Sequence, residues 1–517
     1  MTPPPPPPPH TPPSAGAPDI PPPAGAIVDA EPAGKGRGGK GLLVGVACLA
    51  AVALLVTALV LVRRAGSEQA GAETPEAAAD GLFAALQNED LVALAELMHP
   101  GERRTLAEPA FEIVDELVRL ELIDASIDLS GVNGIDVRID GLQYRLDPVA
   151  SADDLRKIVI EQGTFSATTN GEELPIGPVL RDRFADELDQ LSTDESAEID
   201  QAAEDEPGPI LVEHEGRWYF SLWYTVAEAT RWGAGIESVP TLAEAIPAIG
   251  ADSPEAAIDA TIAAASGLDL GAIIGMLDPE EMAALHRYAP LFLDDAQAEL
   301  DEVLADLDAS DVRWSVGEIE YSTETEGDVG YVTVNSFTAN VQADGVTVDV
   351  SYAPTALSVD VVADGVEYRI DVTIADNVIT ADGVLDGDPL RAEVTFAENS
   401  VSGWAEFDGS RIDGSLTIDP DGVCSQYELT VDGETEQGCL EDEGDRAVVE
   451  ALGLGLSQFE DFTFPAPTLV TTRTDGEWYF SPLLSLSHAV LEYLRSTDAE
   501  TVALQIDQFE ELMGGEF

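Results

Sequence analysis

Residues 74–102 read TPEAAADGLFAALQNEDLVALAELMHPGE, and residues 253–281 read SPEAAIDATIAAASGLDLGAIIGMLDPEE. The two superpose without a gap at a constant offset of 179, and Pro75, Glu76, Ala77, Ala78, Asp80, Ala84, Ala85, Asp90, Leu91, Ala93, Pro100 and Glu102 each meet the same residue in the second copy. An ungapped match of this length marks an internal repeat, and a repeat sets the architecture before any local reading. Each copy opens as a helix for the same reasons. Thr74 and Ser253 are N-cap residues, and Pro75 and Pro254 follow at the first helical position, where a missing N–H costs nothing. Glu76 and Glu255 then favour the positive end of the helix dipole. Asp90 and Asp269 cap a second short helix that ends near Pro100 or Pro279.

The copies also end alike. Glu215-Gly216-Arg217-Trp218-Tyr219-Phe220-Ser221 corresponds to Asp475-Gly476-Glu477-Trp478-Tyr479-Phe480-Ser481. An acidic-Gly pair between two β-prone runs signals a hairpin, with Trp and Phe on its buried side and Tyr pointing away. A helix follows each, near 223–232 and 486–495. Here the offset is 260, so the second copy carries 260 − 179 = 81 extra residues. These fall between about 341 and 443, where Asp-Gly pairs recur at 344, 364, 382, 408, 413, 421 and 432 among alternating stretches such as VEYRIDVTI. That pattern predicts an antiparallel meander of short hairpins.

The opening "T/S-P-E-A-A", the alanine-rich helix, the D-L step with its proline and the closing "D/E-G-x-W-Y-F-S" together resemble the NTF2-like superfamily. More narrowly, they are similar to extracytoplasmic NTF2-like domains of actinobacterial membrane proteins and lipoproteins. The resemblance covers 73–232 and, discontinuously, 252–340 and 445–497. It implies an α+β fold: two domains, each a strongly curved antiparallel sheet closed into a cone by helices, the second with a β-rich insertion. Residues 233–251 form the linker, whose composition is not that of a flexible chain and favours packing of the cones. Residues 498–517 form a C-terminal tail. Pro75, Glu76, Trp218, Tyr219, Phe220, Pro254, Glu255, Trp478, Tyr479 and Phe480 are the structural signature.

The chain has 517 residues and a formal net charge of −75. Beyond residue 64 its sole lysine is Lys157. Nucleic acid is excluded as a partner, because phosphate binding needs clustered cations. Residues 1–40 are proline-rich and predict a disordered tail. Gly41–Val62 is uncharged, long enough to cross a bilayer, and fenced by Lys35, Arg37 and Lys40 before it and Arg63 and Arg64 after it. It predicts an uncleaved transmembrane helix, with a cytoplasmic N-terminus and an extracytoplasmic bulk.

Chemistry-bearing motifs are scarce. Of five histidines, His10 lies in the tail, His99 faces Asp278 at the equivalent position and reads as a loop residue, and His214 sits beside a hairpin turn among carboxylates. His286 and His488 fall on helices. No P-loop, HExxH, GxSxG or CxxC occurs, and Asp386-Gly387-Asp388 and Asp419-Pro420-Asp421-Gly422 are incomplete calcium-loop fragments. No catalytic, cofactor or metal site is predicted. Cys424 and Cys439 are disulfide candidates, and Cys48 lies within the apolar stretch. The expectation is a non-catalytic, membrane-anchored binding or scaffolding protein of the cell envelope, with an envelope protein, lipid or wall component as ligand. Its alternatives are an extracytoplasmic enzyme using one pocket, or a regulatory subunit coupling the proline-rich tail to an external event.

Overall fold

A computed structural model describes residues 70–512, apart from short stretches of which 185–192, 200–206, 418–424 and 441–465 are the longest. The described residues belong to one compact unit. The first copy opens with α1 (Pro75–Gln87) and α2 (Leu91–Leu97); the second opens with α5 (Pro254–Ser266) and α6 (Leu270–Met276). The matched helices have equal lengths because their caps match. The hydroxyls of Thr74 and Ser253 each accept from a backbone N–H three residues on, at 3.2 Å. The carboxylates of Asp90 and Asp269 do the same for α2 and α6, at 2.9 Å.

Between α2 and the first sheet lies α3 (Glu108–Arg119). The sheet follows with β1 (Ile135–Val149), β2 (Ala152–Thr169), β3 (Thr193–Ile199), β4 (Ile210–His214) and β5 (Arg217–Ser221), and α4 (Leu222–Gly233) closes the copy. β2 is long enough to take two partners on one side. Its first part pairs with β4 at Leu155–Lys157, and its second pairs with β3 from Gly163 to Thr169.

The second copy uses the same plan. After α7 (Ala283–Tyr288) and α8 (Leu293–Ala309) come β6 (Arg313–Glu326) and β7 (Val329–Ala343). The first part of β7 pairs with β17 (Thr468–Thr474), which leads into β18 (Glu477–Phe480) and α9 (Pro482–Ser496). Its second part pairs from Phe337 to Ala343 with β8 (Val346–Ala353). β8 thus occupies the slot that β3 fills in the first copy. There the resemblance stops, because among the described residues the slot holds nine strands: β8, β9 (Ala356–Ala363), β10 (Val366–Ala375), β11 (Val378–Leu385), β12 (Asp388–Ala397), β13 (Ser400–Phe407), β14 (Ser410–Thr417), β15 (Ser425–Val431) and β16 (Glu434–Leu440). Each pairs antiparallel with the next. A last helix, α10 (Ala499–Leu512), ends the described chain.

Two cones with an inserted side domain are therefore not what the chain forms. The meander is continuous with the second copy's own sheet in one 13-stranded antiparallel sheet, and the described molecule is mostly β. The expected pair of NTF2-like domains is corrected on that ground. The physical reason is that an edge strand presents unpaired N–H and C=O groups, and β8 continues β7's ladder instead of folding apart. Two predicted turns also fall elsewhere. Asp382-Gly383 lies within β11 and Asp413-Gly414 within β14, whereas Gly387, expected only as a calcium-loop fragment, has the positive φ of a hairpin turn.

The stretch predicted to span a membrane, 41–62, and the proline-rich tail before it lie outside the described residues. Among the described residues no helix is long and apolar enough to cross a membrane. The single-pass, extracytoplasmic placement is withdrawn accordingly.

The two copies pack on each other reciprocally. The last helix of the first, α4, lies against α7 of the second, where Tyr224 and Tyr288 meet edge to face at 6.0 Å. The closing helix of the second, α9, lies against α3 of the first, and Arg119 donates to the carbonyls of Leu494 and Thr497 at 2.6 and 3.0 Å.

Candidate binding surface

Two places gather polar chemistry: the joint between the copies and the nine-strand sheet. At the joint, Glu102 follows the proline after α2 and is 2% exposed. It accepts from the Ser221 hydroxyl, from Leu222 N at 2.8 Å and from Trp223 N at 3.2 Å, so it caps the N-terminus of α4. Its repeat partner Glu281 accepts from the Ser481 hydroxyl and from Leu483 N at 2.9 Å, capping α9 in the same way. Burial pushes both carboxyls up to about 7, against the hydrogen bonds that pull the other way.

Between them Arg104 of the first copy reaches into the second. It donates to Asp278 at 2.7 Å and Glu280 at 2.9 Å. Asp278 is fully buried and also accepts from the Thr472 hydroxyl and from the backbone of Glu280 and Glu281. Arg287, 1% exposed, makes the reverse crossing to Asp154 at 2.7 and 3.1 Å. His99 is buried rather than in an open loop, because its backbone N–H joins the carbonyl of Phe220 and seats it under the hairpin. Its ring packs edge-on to His214 at 5.0 Å, and burial, then His214 and Arg104, lower its pKa to about 3. His286 is buried with its ring nitrogens against the carbonyls of Ile246 and Leu277, and His488 packs on Tyr331. Glu102, Glu281 and Asp278 are buried and take donors from the fold, so they hold helix starts and, with Arg104, the two copies together; Glu280 and Asp154 stay part-exposed. Among the described residues no group of three His, Cys, Asp or Glu side chains is placed to hold a metal ion.

The sheet is organised differently. Residues paired across strands share a face, as do residues two apart along a strand. Registers therefore carry Val350 to Val359, Ile370, Gly383, Leu390 and Phe407 in one row, and Ile379 to Val394 and Gly403 in another. The opposite face carries Asp360 to Arg369, Asp382 to Arg391, Glu406 and Arg411, and Glu393 to Trp404 and Asp413. One face is apolar and the other polar over eight strands, β8–β15. Of the apolar side chains on β8–β16, Ile374 at 7% exposure is the one that is buried among the described residues. Two open depressions, of 280 and 210 Å³, lie on the polar face, the first around Glu393, Trp404, Asp413 and Glu428. There the Arg411 guanidinium sits over the Trp404 ring at 4.5 Å. A third cleft of 320 Å³ lies between α1 and α2.

The predicted signature residues occupy the frame. Pro75 and Pro254 start α1 and α5 with Glu76 and Glu255 in the first turn. Trp218 bridges to Ala72 and Trp478 to Ala251, while Phe220 bridges to Met98 and Phe480 to Leu277. Tyr219 points away from Trp218 and Phe220, though into a second core with Ala284 and Tyr288 rather than into solvent. Tyr479 is buried as well. Cys439 lies on β16 in a disulfide; Cys424, its predicted partner, lies outside the described residues. The capping role of Glu102, Glu281, Ser221 and Ser481 has no motif of its own, although all four are shared between the copies. Arg104 and Arg287 have no such signal. Comparison with protein-family models, with curated proteins and with solved structures finds no match for this chain.

Proposed function

We propose that this chain is a non-catalytic binding protein, a two-copy base that holds out a broad two-faced sheet to a partner. The observation that supports this reading is the sorting of β8–β15 into one apolar and one polar face, with a single buried apolar side chain among the described residues of these strands. A sheet that existed only to complete the base would need one strand in that slot, as β3 shows in the first copy. Large contiguous apolar surface on a folded protein marks an interaction site. The buried, hydrogen-bonded Glu102, Glu281 and Asp278 point the same way, since a general acid or base must reach its substrate.

The test is excision of residues 356–440, which leaves β8 in the role of β3. The shortened chain should keep the melting transition of the base and lose the partners recovered by in-cell crosslinking of the full chain. Unchanged recovery after excision would remove the sheet from the function.

A further inference from the structure

We propose that the apolar face of β8–β16 seats a second copy of this chain, packed face to face as the two layers of a sandwich. The inference rests on reading this sheet as the binding surface, and it names the occupant. Ile370, Phe407, Ile412 and Leu429 are 37, 42, 46 and 40% exposed on that face, far more than a finished core leaves. From Val346 to Val431 the face carries one charge, Asp388, and that stands beside a hairpin turn. A cationic partner would find nothing to pair with there, whereas an identical apolar face is complementary to it.

Geometry favours the same occupant. The eight strands β8–β15, about 4.8 Å apart and each roughly 26 Å long, give a face on the order of 1,000 Å². A stable interface needs about 800 Å² from each partner. Two copies of one sheet share one hand of twist, which is the condition for aligned packing at roughly 30° and about 10 Å. Sideways growth at β16 is disfavoured. There the rows of Val431 and Leu429 continue into Glu434 and Glu436, so the outer strand turns carboxylates onto the apolar face. Most of the sheet's remaining carboxylates stand on the polar face or at the turns, and they would lie outward in the pair.

The experiment is sedimentation equilibrium of the full chain over a range of concentrations and salt. The expected result is a dimer that tightens with added salt, because two copies of net charge −75 repel each other until screened. Ile412→Asp on β14 and Phe407→Glu at the end of β13 each place a charge on the face and should weaken the dimer by about 30-fold or more. Ser402→Glu, on the polar face, should leave it unchanged. Both apolar positions are already part-exposed, so the monomer tolerates them, and a melting curve confirms folding. A native chain that stays monomeric at every concentration overturns the proposal without any variant, and passes the face to the chain's own residues 441–465 or to an apolar ligand. A dimer insensitive to both substitutions overturns it equally. Loss of captured partners on excision of 356–440 in a monomeric chain would leave the binding reading standing and sink the dimer alone.

Discussion

Glu102 and Glu281 set the residue scale. Their folded pKa of about 7 lies above the ordinary 4.5, so the folded state holds protons that the unfolded state has released. Their contribution is fully present below 4.5 and is lost as pH rises toward 7, by up to about 2–3 kcal/mol for each. Urea denaturation should thus show lower stability at about pH 8 than at about pH 5, with a flatter profile in the Glu102→Gln, Glu281→Gln double variant. An identical slope in that variant would show that other groups set the dependence. Glu102→Ala leaves the Ser221 hydroxyl and two helix N–H groups unmet, and should cost about 1–3 kcal/mol at any pH. These two acids show what sequence could and could not reveal. Glu102 and Ser221 are each visible as repeated residues, but 119 positions separate them, and only the folded hairpin brings them together.

At the scale of elements, local signals were the legible ones. Caps at Thr74, Asp90, Ser253 and Asp269 fix four helix starts through contacts three residues long, which is why the spacing alone located them. Strand pairing is settled over long distances. Asp382-Gly383 has turn chemistry, yet its neighbours pair on both sides and it stays in β11. Likewise nothing in the meander's own sequence says that it joins β7 rather than folding alone. The joint between copies depends on one close approach that is testable. A Cβ on Gly101 would stand 2.1 Å from the carbonyl oxygen of Glu280. Gly101→Ala should therefore force the copies apart and cost about 1–3 kcal/mol by thermal or urea melting. Gly233→Ala, which meets nothing within 4 Å, should be neutral.

For the whole molecule, burial is uneven. The base has cores on both sides of its first sheet, whereas the nine strands beyond β7 have almost none. Hydrogen exchange should accordingly find the amides of β12–β15 opening at lower free energy than those of β4, β5 and β17. Equal protection across the sheet would mean that a partner covers it in solution. Reduction of the disulfide at Cys439 should speed exchange in β15 and β16 and leave the base melting where it did. The −75 charge, read from composition as a bar to nucleic acid, adds a salt dependence to any association of these molecules.

The slot beside β2 and β7 has an arithmetic of its own. In both copies the chain enters it antiparallel to the long strand, and β4 and β17 also run antiparallel to that strand. Among the described residues the slot holds one strand in the first copy and nine in the second, and because consecutive strands alternate in direction β16 runs the same way as β17. Each hairpin of the nine-strand run sets the free rim about 10 Å further from the base. The nine strands thus form an arm on the order of 40 Å across that, among the described residues, joins the base through the single pairing of β8 with β7.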